Sequence, residues 1–305
     1  MSPNKRIFNA SYIPLALIVL TIFILVIMLL LGGMVKVIAW NLSALFLSVV
    51  AINGLVFTIW RWIVQKRLDM PGKLTGAAVL LAFSPLLMVF YPVAYPASLI
   101  DTRPSVTVRL PADVPLQVIW GGDTLAVNQH VMVPDQRWAY DLLVEPYLTG
   151  SPELTDYGCY GVPVVAPAAG EVIAAHDGEP DMVPGESSNN YQAPEGNHVA
   201  IRLDETGTYL VIAHLKPGSV TVSVGQRVTE GQVFGQCGNS GNTSEPHIHI
   251  HHQRQDPTVY PINFAEGLPL YFRDLDGPAM PQGGYVIVDG AVVTTGDMVV
   301  HRKQP

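Results

Sequence analysis

The stretch whose reading decides the fold is Gly238–His252, "GNSGNTSEPHIHIHH". A turn-rich segment runs into a short alternating run, and four of the chain's nine histidines fall in its last six positions. Successive side chains of a β-strand point to opposite faces. His247, His249 and His251 therefore share one face, and Ile248 and Ile250 share the other. The isoleucines suit a core and the imidazoles form a presented row, with His252 pointing opposite to His251. Neutral imidazole is the commonest metal ligand, and its charge changes near physiological pH. A solvated histidine face is the plainer alternative, but three imidazoles separated by apolar residues favour a site. His251 either extends the row or faces water. Asn239, Ser240 and Asn242 read as turn formers before Pro246.

The same alternation recurs from Leu125 onward, in "LAVNQHVMV", "RWAYDLLV", "PVVAP", "GEVIAAH", "NHVAIRL", "TYLVIAHL" and "QRVTEGQVFGQ". Gly, Pro, Asn and Asp separate these runs. Many short strands with such turns predict an all-β domain over 125–260, an antiparallel sandwich or partly open barrel. Residues 101–124 read as a connector with leading strands, and 261–305 as further strands and a tail. One interval, 177–196, is polar, acidic and turn-rich. A loop that long suits either a cleft edge or a surface insertion.

The first hundred residues differ in kind. No charged residue occurs in 7–35, 37–60 or 74–100. Each run exceeds the roughly 20 apolar residues that cross a bilayer, which predicts three α-helical spans at about 13–34, 37–60 and 76–98. Lys5 and Arg6 precede the first span. Arg61, Lys66, Arg67 and Lys73 lie between the second and third. Basic loops stay cytoplasmic, so the expected arrangement is a multi-pass protein of the cytoplasmic membrane. Its N-terminus would be inside, with everything after Asp101 on the outer face. Residues 101–305 hold ten Lys/Arg against 24 Asp/Glu. That acidic balance excludes nucleic acid as an expected partner.

A metal needs ligands from more than one strand. "TYLVIAHLKPG" offers His214, and "NQHVMVPDQRWAYDLLV" offers His130 and Asp141. Here the chain resembles a known family. The segments "GVPVVAPAAGEV", "GNHVAIRL", "YLVIAHL" and "VSVGQRVTEGQVFGQCGNSGNTSEPHIHI" follow, in order, the signature of lysostaphin/LytM-type zinc metallopeptidases. The resemblance covers about 125–255. It implies a duplicated-hybrid-motif-like β fold, a Zn2+ cofactor and hydrolysis of peptide bonds in bacterial peptidoglycan. It implies His249 as a zinc ligand, with His247 and His214 acting on the proton and the developing oxyanion. Asp141 matches the aspartate of the family's H-x-x-x-D pair. Four residues earlier stands Arg137, whose guanidinium has no lone pair to donate. A hairpin turning at Pro134-Asp135 suggests a replacement. If Val133 pairs with Gln136, His130 pairs with Ala139 and lies diagonal to Asp141, at roughly 7–8 Å. The expected ligand set is then His130, Asp141 and His249, dependent on register. His198 reads as a strand residue that either lines the cleft or is plainly exposed. His176 and His301 read as surface residues.

Cys159 and Cys237 are the only cysteines. Outside the cytoplasm they either bridge or remain buried thiols, and no C-x-x-C spacing marks them as zinc ligands. The expected function is a membrane-anchored zinc metalloendopeptidase acting on the peptide stems of peptidoglycan. The alternative is a catalytically degenerate module that binds or activates other cell-wall hydrolases, and the missing first histidine is the reason to keep it open.

Overall fold

The computed structural model describes residues 13–66, 70–83, 90–185, 190 and 192–302. The chain divides into two units, Met1–Pro96 and Ala97–Pro305. In the first, α1 (Ile13–Leu30), α2 (Gly33–Gln65) and α3 (Met70–Ala82) follow one another. Gly33 takes φ 62° at the turn between α1 and α2, a conformation that glycine adopts without strain. Leu47, Val50, Ala51 and Ala82 form a small buried cluster.

The expectation of three spans is corrected in part. Among the described residues, one helical stretch, Leu45–Val64, is long and apolar enough to cross a bilayer. Val19–Met28 and Gly72–Ala82 are apolar but shorter. The third expected span, 76–98, does not continue as one helix. α3 stops at Ala82, 84–89 lie outside the described residues, and Phe90–Ser98 carries no helix. Pro92 and Pro96 fall in that last segment, and each removes a backbone donor that a helix needs.

The second unit is mostly antiparallel sheet. Its strands are β1 (Val106–Val108), β2 (Leu116–Trp120), β3 (Tyr140–Leu143), β4 (Pro163–Val165), β5 (Gly170–His176), β6 (Asn197–Leu203), β7 (Tyr209–Leu215) and β8 (Arg227–Val228). β9 (Val233–Gln236), β10 (Ile248–Gln253), β11 (Leu270–Phe272), β12 (Leu275–Asp276), β13 (Tyr285–Val288), β14 (Ala291–Thr294) and β15 (Met298–His301) complete the set. Nine of them form one sheet in the order β12-β15-β2-β3-β10-β7-β6-β5-β8, and three two-stranded sheets, β1-β11, β4-β9 and β13-β14, accompany it.

Strand alternation explains the layering. Leu116 and Val118 of β2, Tyr140 and Leu142 of β3, Ile248 and Ile250 of β10, and Leu210 and Ile212 of β7 belong to one core cluster. Val164 of β4, Phe234 of β9 and Phe272 of β11 join the same cluster, so the β4-β9 and β1-β11 sheets cover one face of the large one, while β13-β14 is exposed. Ile248 and Ile250 are wholly buried, which contributes about 2–3 kcal/mol each. The opposite parity, with Asp141 on β3 and His249 and His251 on β10, goes to the other face.

Candidate metal centre

Register places the polar residues in one cross-strand row. Asp141 lies opposite His249 on β10 and opposite Trp120 on β2. Directly opposed residues share a face, and a register shift between Val118 and Trp120 is what re-aims Trp120 away from the core. Tyr285 meets the Trp120 ring edge-on at 5.3 Å. On β7 the alternation would send His214 to the core with Ile212. Instead His214 has φ 63°, an unusual conformation for a non-glycine residue. This turns its ring to within 4.7 Å of His247 and 5.7 Å of His249, centroid to centroid.

His130 reaches the row by a route different from the expected hairpin. Gln129–Met132 is a short 3₁₀ turn, with Asn128 Oδ1 accepting from the His130 N–H and the Val133 N–H returning to His130 O. Asn128 Nδ2 donates to Gly122 O and Ala139 O, clamping the turn against both flanks. His130 therefore does not pair with Ala139 in a ladder, because the backbone groups such a ladder needs are used by the turn. Its Nε2 nevertheless lies 2.9 Å from Asp141 Oδ2. Arg137 turns away: Nη2 lies 2.9 Å from Asp123 Oδ1, and the guanidinium sits 4.9 Å over the Trp138 ring.

The result is a compact set of donors. His249 Nδ1 is 2.8 Å from Asp141 Oδ1. One ligand atom each from His130, Asp141 and His249 lie within 4.8 Å of one another. His214 Nδ1 donates to Ser240 O at 2.8 Å, and His247 Nδ1 donates to Glu245 O at 2.8 Å. A carbonyl can only accept, so both rings present Nε2 to the row, and that of His247 lies 3.6 Å from Asp141 Oδ1. Burial pushes the Asp141 carboxyl up, but His130 and His247 outweigh it and hold the group well below the usual carboxylate range. Burial and the charges of His247 and His249 push His214 far down. Burial also opposes the charged form of His247, yet the Asp141 carboxylate holds it up. Two imidazoles 4.7 Å apart thus have opposed proton affinities, the pattern of an acid–base pair.

Neighbouring segments fix this arrangement. The 177–196 loop is stitched to the turn that precedes β10. Met182 N–H donates to Asn239 O, Asn242 N–H to Pro194 O, and Asn239 N–H to Asp181 Oδ1 at 2.7 Å. A Cβ on Gly241, at φ 89°, would meet Gly196 N at 2.4 Å, and one on Gly196 would meet Ser240 C and O at 2.4 Å. Glycine at both positions is what lets the two backbones touch, and Ser240 O, the partner of His214, sits at that contact. Cys159 and Cys237 form a disulfide with Cα atoms 5.8 Å apart, and the Gly238 N–H that follows donates to His214 O. His251 is buried: its Nδ1 lies 3.0 Å from His249 Nε2, and its Nε2 lies 3.0 Å from Gln253 Oε1. His252 points the other way, with Nε2 2.6 Å from Thr208 Oγ1. His198 stacks on His176 at 5.5 Å, apart from the row.

Ser240, Asn128, Gln136 and Gln253 were not singled out from the sequence for these contacts. Asn128, two residues before a histidine, is the one local signal that could have been read, as a cap.

The donor set fits a borderline divalent cation. Two neutral imidazoles and one carboxylate are common zinc ligands. His130 Nδ1 lies 3.0 Å from Gln136 Oε1, so the proton held between His130 Nε2 and Asp141 Oδ2 is the one a cation would displace.

Residues 155–261 match Peptidase family M23. This part of the chain is an M23 domain. The matched part of the M23 domain holds His214, His247 and His249, whereas His130 and Asp141 precede it. Solved structures similar to the chain include the catalytic domain of the antimicrobial peptidase lysostaphin from Staphylococcus simulans. Identity is 21%, over 46% of this chain and 86% of that one, with a TM-score of 0.28. A putative peptidase M23 from Pseudomonas aeruginosa matches at 20% identity, over 60% of this chain and 55% of that one, TM-score 0.30. A zinc containing peptidase from Vibrio cholerae matches at 17% identity, over 52% and 39%, TM-score 0.29. The chain thus spans less than two thirds of the length of the last two.

Proposed function

We propose that the chain is a membrane-anchored zinc endopeptidase that hydrolyses peptide cross-links of bacterial peptidoglycan. One observation carries the reading: His130 and His249 each turn a ring nitrogen to a different oxygen of Asp141, with the Nε2 atoms of His214 and His247 beside them. His130, Asp141 and His249 would hold Zn2+. When bound, the cation supplies Lewis acidity and eases deprotonation of water near neutral pH. The chain's own groups do the rest. His214, neutral and tied at Nδ1 to Ser240 O, takes up a proton at Nε2. His247, tied at Nδ1 to Glu245 O, offers an Nε2–H to the developing oxyanion and then to the leaving amine. The buried row excludes bulk water and so strengthens these interactions.

Outer-face placement rests on the apolar helices and on the basic residues Arg61–Lys73. Reporter fusions after Lys66 and after Asp101 test it, and equal activity of a periplasm-dependent reporter at both points would refute it. The Arg137 departure that motivated a non-catalytic role weakens here, because the guanidinium is engaged by Asp123 and Trp138 outside the row. The purified chain in detergent is expected to bind zinc and to release new amino groups from purified cell walls. Chelator or His214→Ala should abolish the release. A wild-type chain that binds no metal at micromolar zinc would sink the hydrolase reading.

A further inference from the structure

Beyond the ligands, a line of buried polar groups runs along β10 away from the row. It comprises His249, His251 and Gln253, 4%, 2% and 2% exposed. We propose that His251 and Gln253 are positioning residues that keep a proton on His249 Nε2, so that Nδ1 is the nitrogen His249 yields to a cation. The inference rests on the reading of His130, Asp141 and His249 as a cation site.

The proton assignment starts at a backbone atom. Gln253 Nε2 lies 2.6 Å from Gln255 O. A carbonyl oxygen only accepts, so the Gln253 amide must present its NH2 there and its oxygen to His251. The opposite orientation would set oxygen against oxygen at that distance. Gln253 Oε1 then accepts from His251 Nε2, 3.0 Å away, which places the His251 proton on Nε2. His251 Nδ1 is left as a lone pair, and it lies 3.0 Å from His249 Nε2. That nitrogen must donate. His249 therefore carries a proton on Nε2, and the proton that Asp141 Oδ1 accepts from Nδ1 at 2.8 Å is the one a cation would displace.

The anchor of the chain is itself held. Gln255 Oε1 accepts from the Glu266 N–H at 2.7 Å, and Arg254 N–H donates to Glu266 O. His130 is poised in the same sense by a single amide, Gln136. Both imidazoles therefore keep a proton on the nitrogen remote from Asp141, and the nitrogen that faces the carboxylate is the one free to exchange its proton for a cation. A ligating histidine whose far nitrogen is hydrogen-bonded in this way is oriented and made more basic, and losing such a partner typically costs 10- to 100-fold in metal affinity. Here the partner is another histidine, and the choice of tautomer is handed on two residues further, to a glutamine.

The test uses the full chain in detergent. Long-range 1H–15N correlation spectra of the zinc-free wild type should show a proton on Nε2 of both His249 and His251. A His249 Nε2 without a proton would overturn the proposal even if zinc binds tightly. Zinc affinity is then measured by competition with a chromophoric chelator. Gln253→Leu and His251→Phe are each expected to weaken zinc roughly 10- to 100-fold. If His251→Phe misfolds, Gln253→Leu and the wild-type spectra decide. Unchanged affinity in Gln253→Leu, with the His249 Nε2 proton also unchanged, overturns the relay. A wild type that shows the predicted protons yet binds no zinc would refute the cation-site reading while upholding the proton order.

Discussion

Asp135 carries a prediction whose sign and size follow from its surroundings. It is 2% exposed, its Oδ2 accepts from Asn263 N–H at 3.0 Å, and its Oδ1 is buried without a hydrogen-bond partner among the described residues. Burial outweighs the backbone hydrogen bonds from Asn263, Asp135 and Gln136 and pushes the carboxyl up from 3.8 to about 7, with Glu195 adding to the rise. A carboxyl whose folded pKa exceeds its unfolded value binds its proton more tightly when folded. The resulting stability is fully present below the unfolded value and is lost as pH rises through about 7. Between pH 5 and pH 8 the loss is about 3 kcal/mol, at about 1.4 kcal/mol per pKa unit. Asp135→Asn removes the titration while keeping the shape of the neutral acid. The assay is urea unfolding of Ala97–Pro305, which has its own core, with excess chelator, followed by fluorescence of its two tryptophans, Trp120 and Trp138. The wild type should lose about 3 kcal/mol more than the variant between those pH values. Parallel curves for the two proteins would refute a buried, proton-binding Asp135.

Three further outcomes are expected. His130→Ala should weaken zinc by a factor on the order of 10²–10³, since roughly 10–16 kcal/mol of binding is shared among the ligands of a zinc site; Arg137→Ala should leave the affinity within a few-fold, and chelator competition on both variants checks this. Replacing Cys159 and Cys237 by serine should destabilise the second unit by about 4 kcal/mol under the chain-entropy account of a loop spanning 78 residues, read from the urea midpoint. Gly241→Ala should cost about 2 kcal/mol or more, through strain at positive φ and the clash with Gly196. Because Ser240 O lies at that contact and accepts from His214, kcat should fall further than zinc affinity.

Local periodicity made half of the site legible and left the rest hidden. "HIHIHH" could be sorted into faces because strand parity is a two-residue rule, and the buried isoleucines and the His249–Asp141 pairing obey it. His214 breaks parity by a left-handed backbone that no composition signal announces. His130 was placed beside Asp141 through a hairpin register, and the structure brings it there by a capped 3₁₀ turn. That turn depends on contacts from far along the chain: Gly267 N–H to Pro134 O and Asn263 N–H to Asp135 Oδ2. Such long-range clamps are invisible to a window of ten residues. In the first unit, apolar composition predicts three long helices, yet composition does not say where a helix stops. Pro92 and Pro96 account only for the lack of helix in Phe90–Ser98.

The positions of His130 and Arg137 show why spacing in sequence is a weaker guide than position in space. Arg137 is buried at 4% exposure, and a buried cation is costly unless paired. Asp123 supplies the pair, and the same Asp123 Oδ1 accepts from Trp138 Nε1 at 2.7 Å. One carboxylate thus ties the arginine and its stacking partner together. That network holds Arg137 outside the row, and the vacated side of Asp141 is the side His130 fills. The two residues are seven apart in sequence, but they answer different demands. The arginine secures the segment leading into β3, and the histidine faces the Asp141 oxygen that His249 leaves open. Losing Asp123 would remove the guanidinium's ion pair, and Asp141, four residues on and held well below the usual carboxylate range, is the anionic partner we expect it to take. Asp123→Ala should therefore lower zinc affinity although Asp123 touches no ligand, and the double variant Asp123→Ala/Arg137→Ala should restore it. A zinc affinity unchanged by Asp123→Ala alone would show that the arginine was never a competitor for the site.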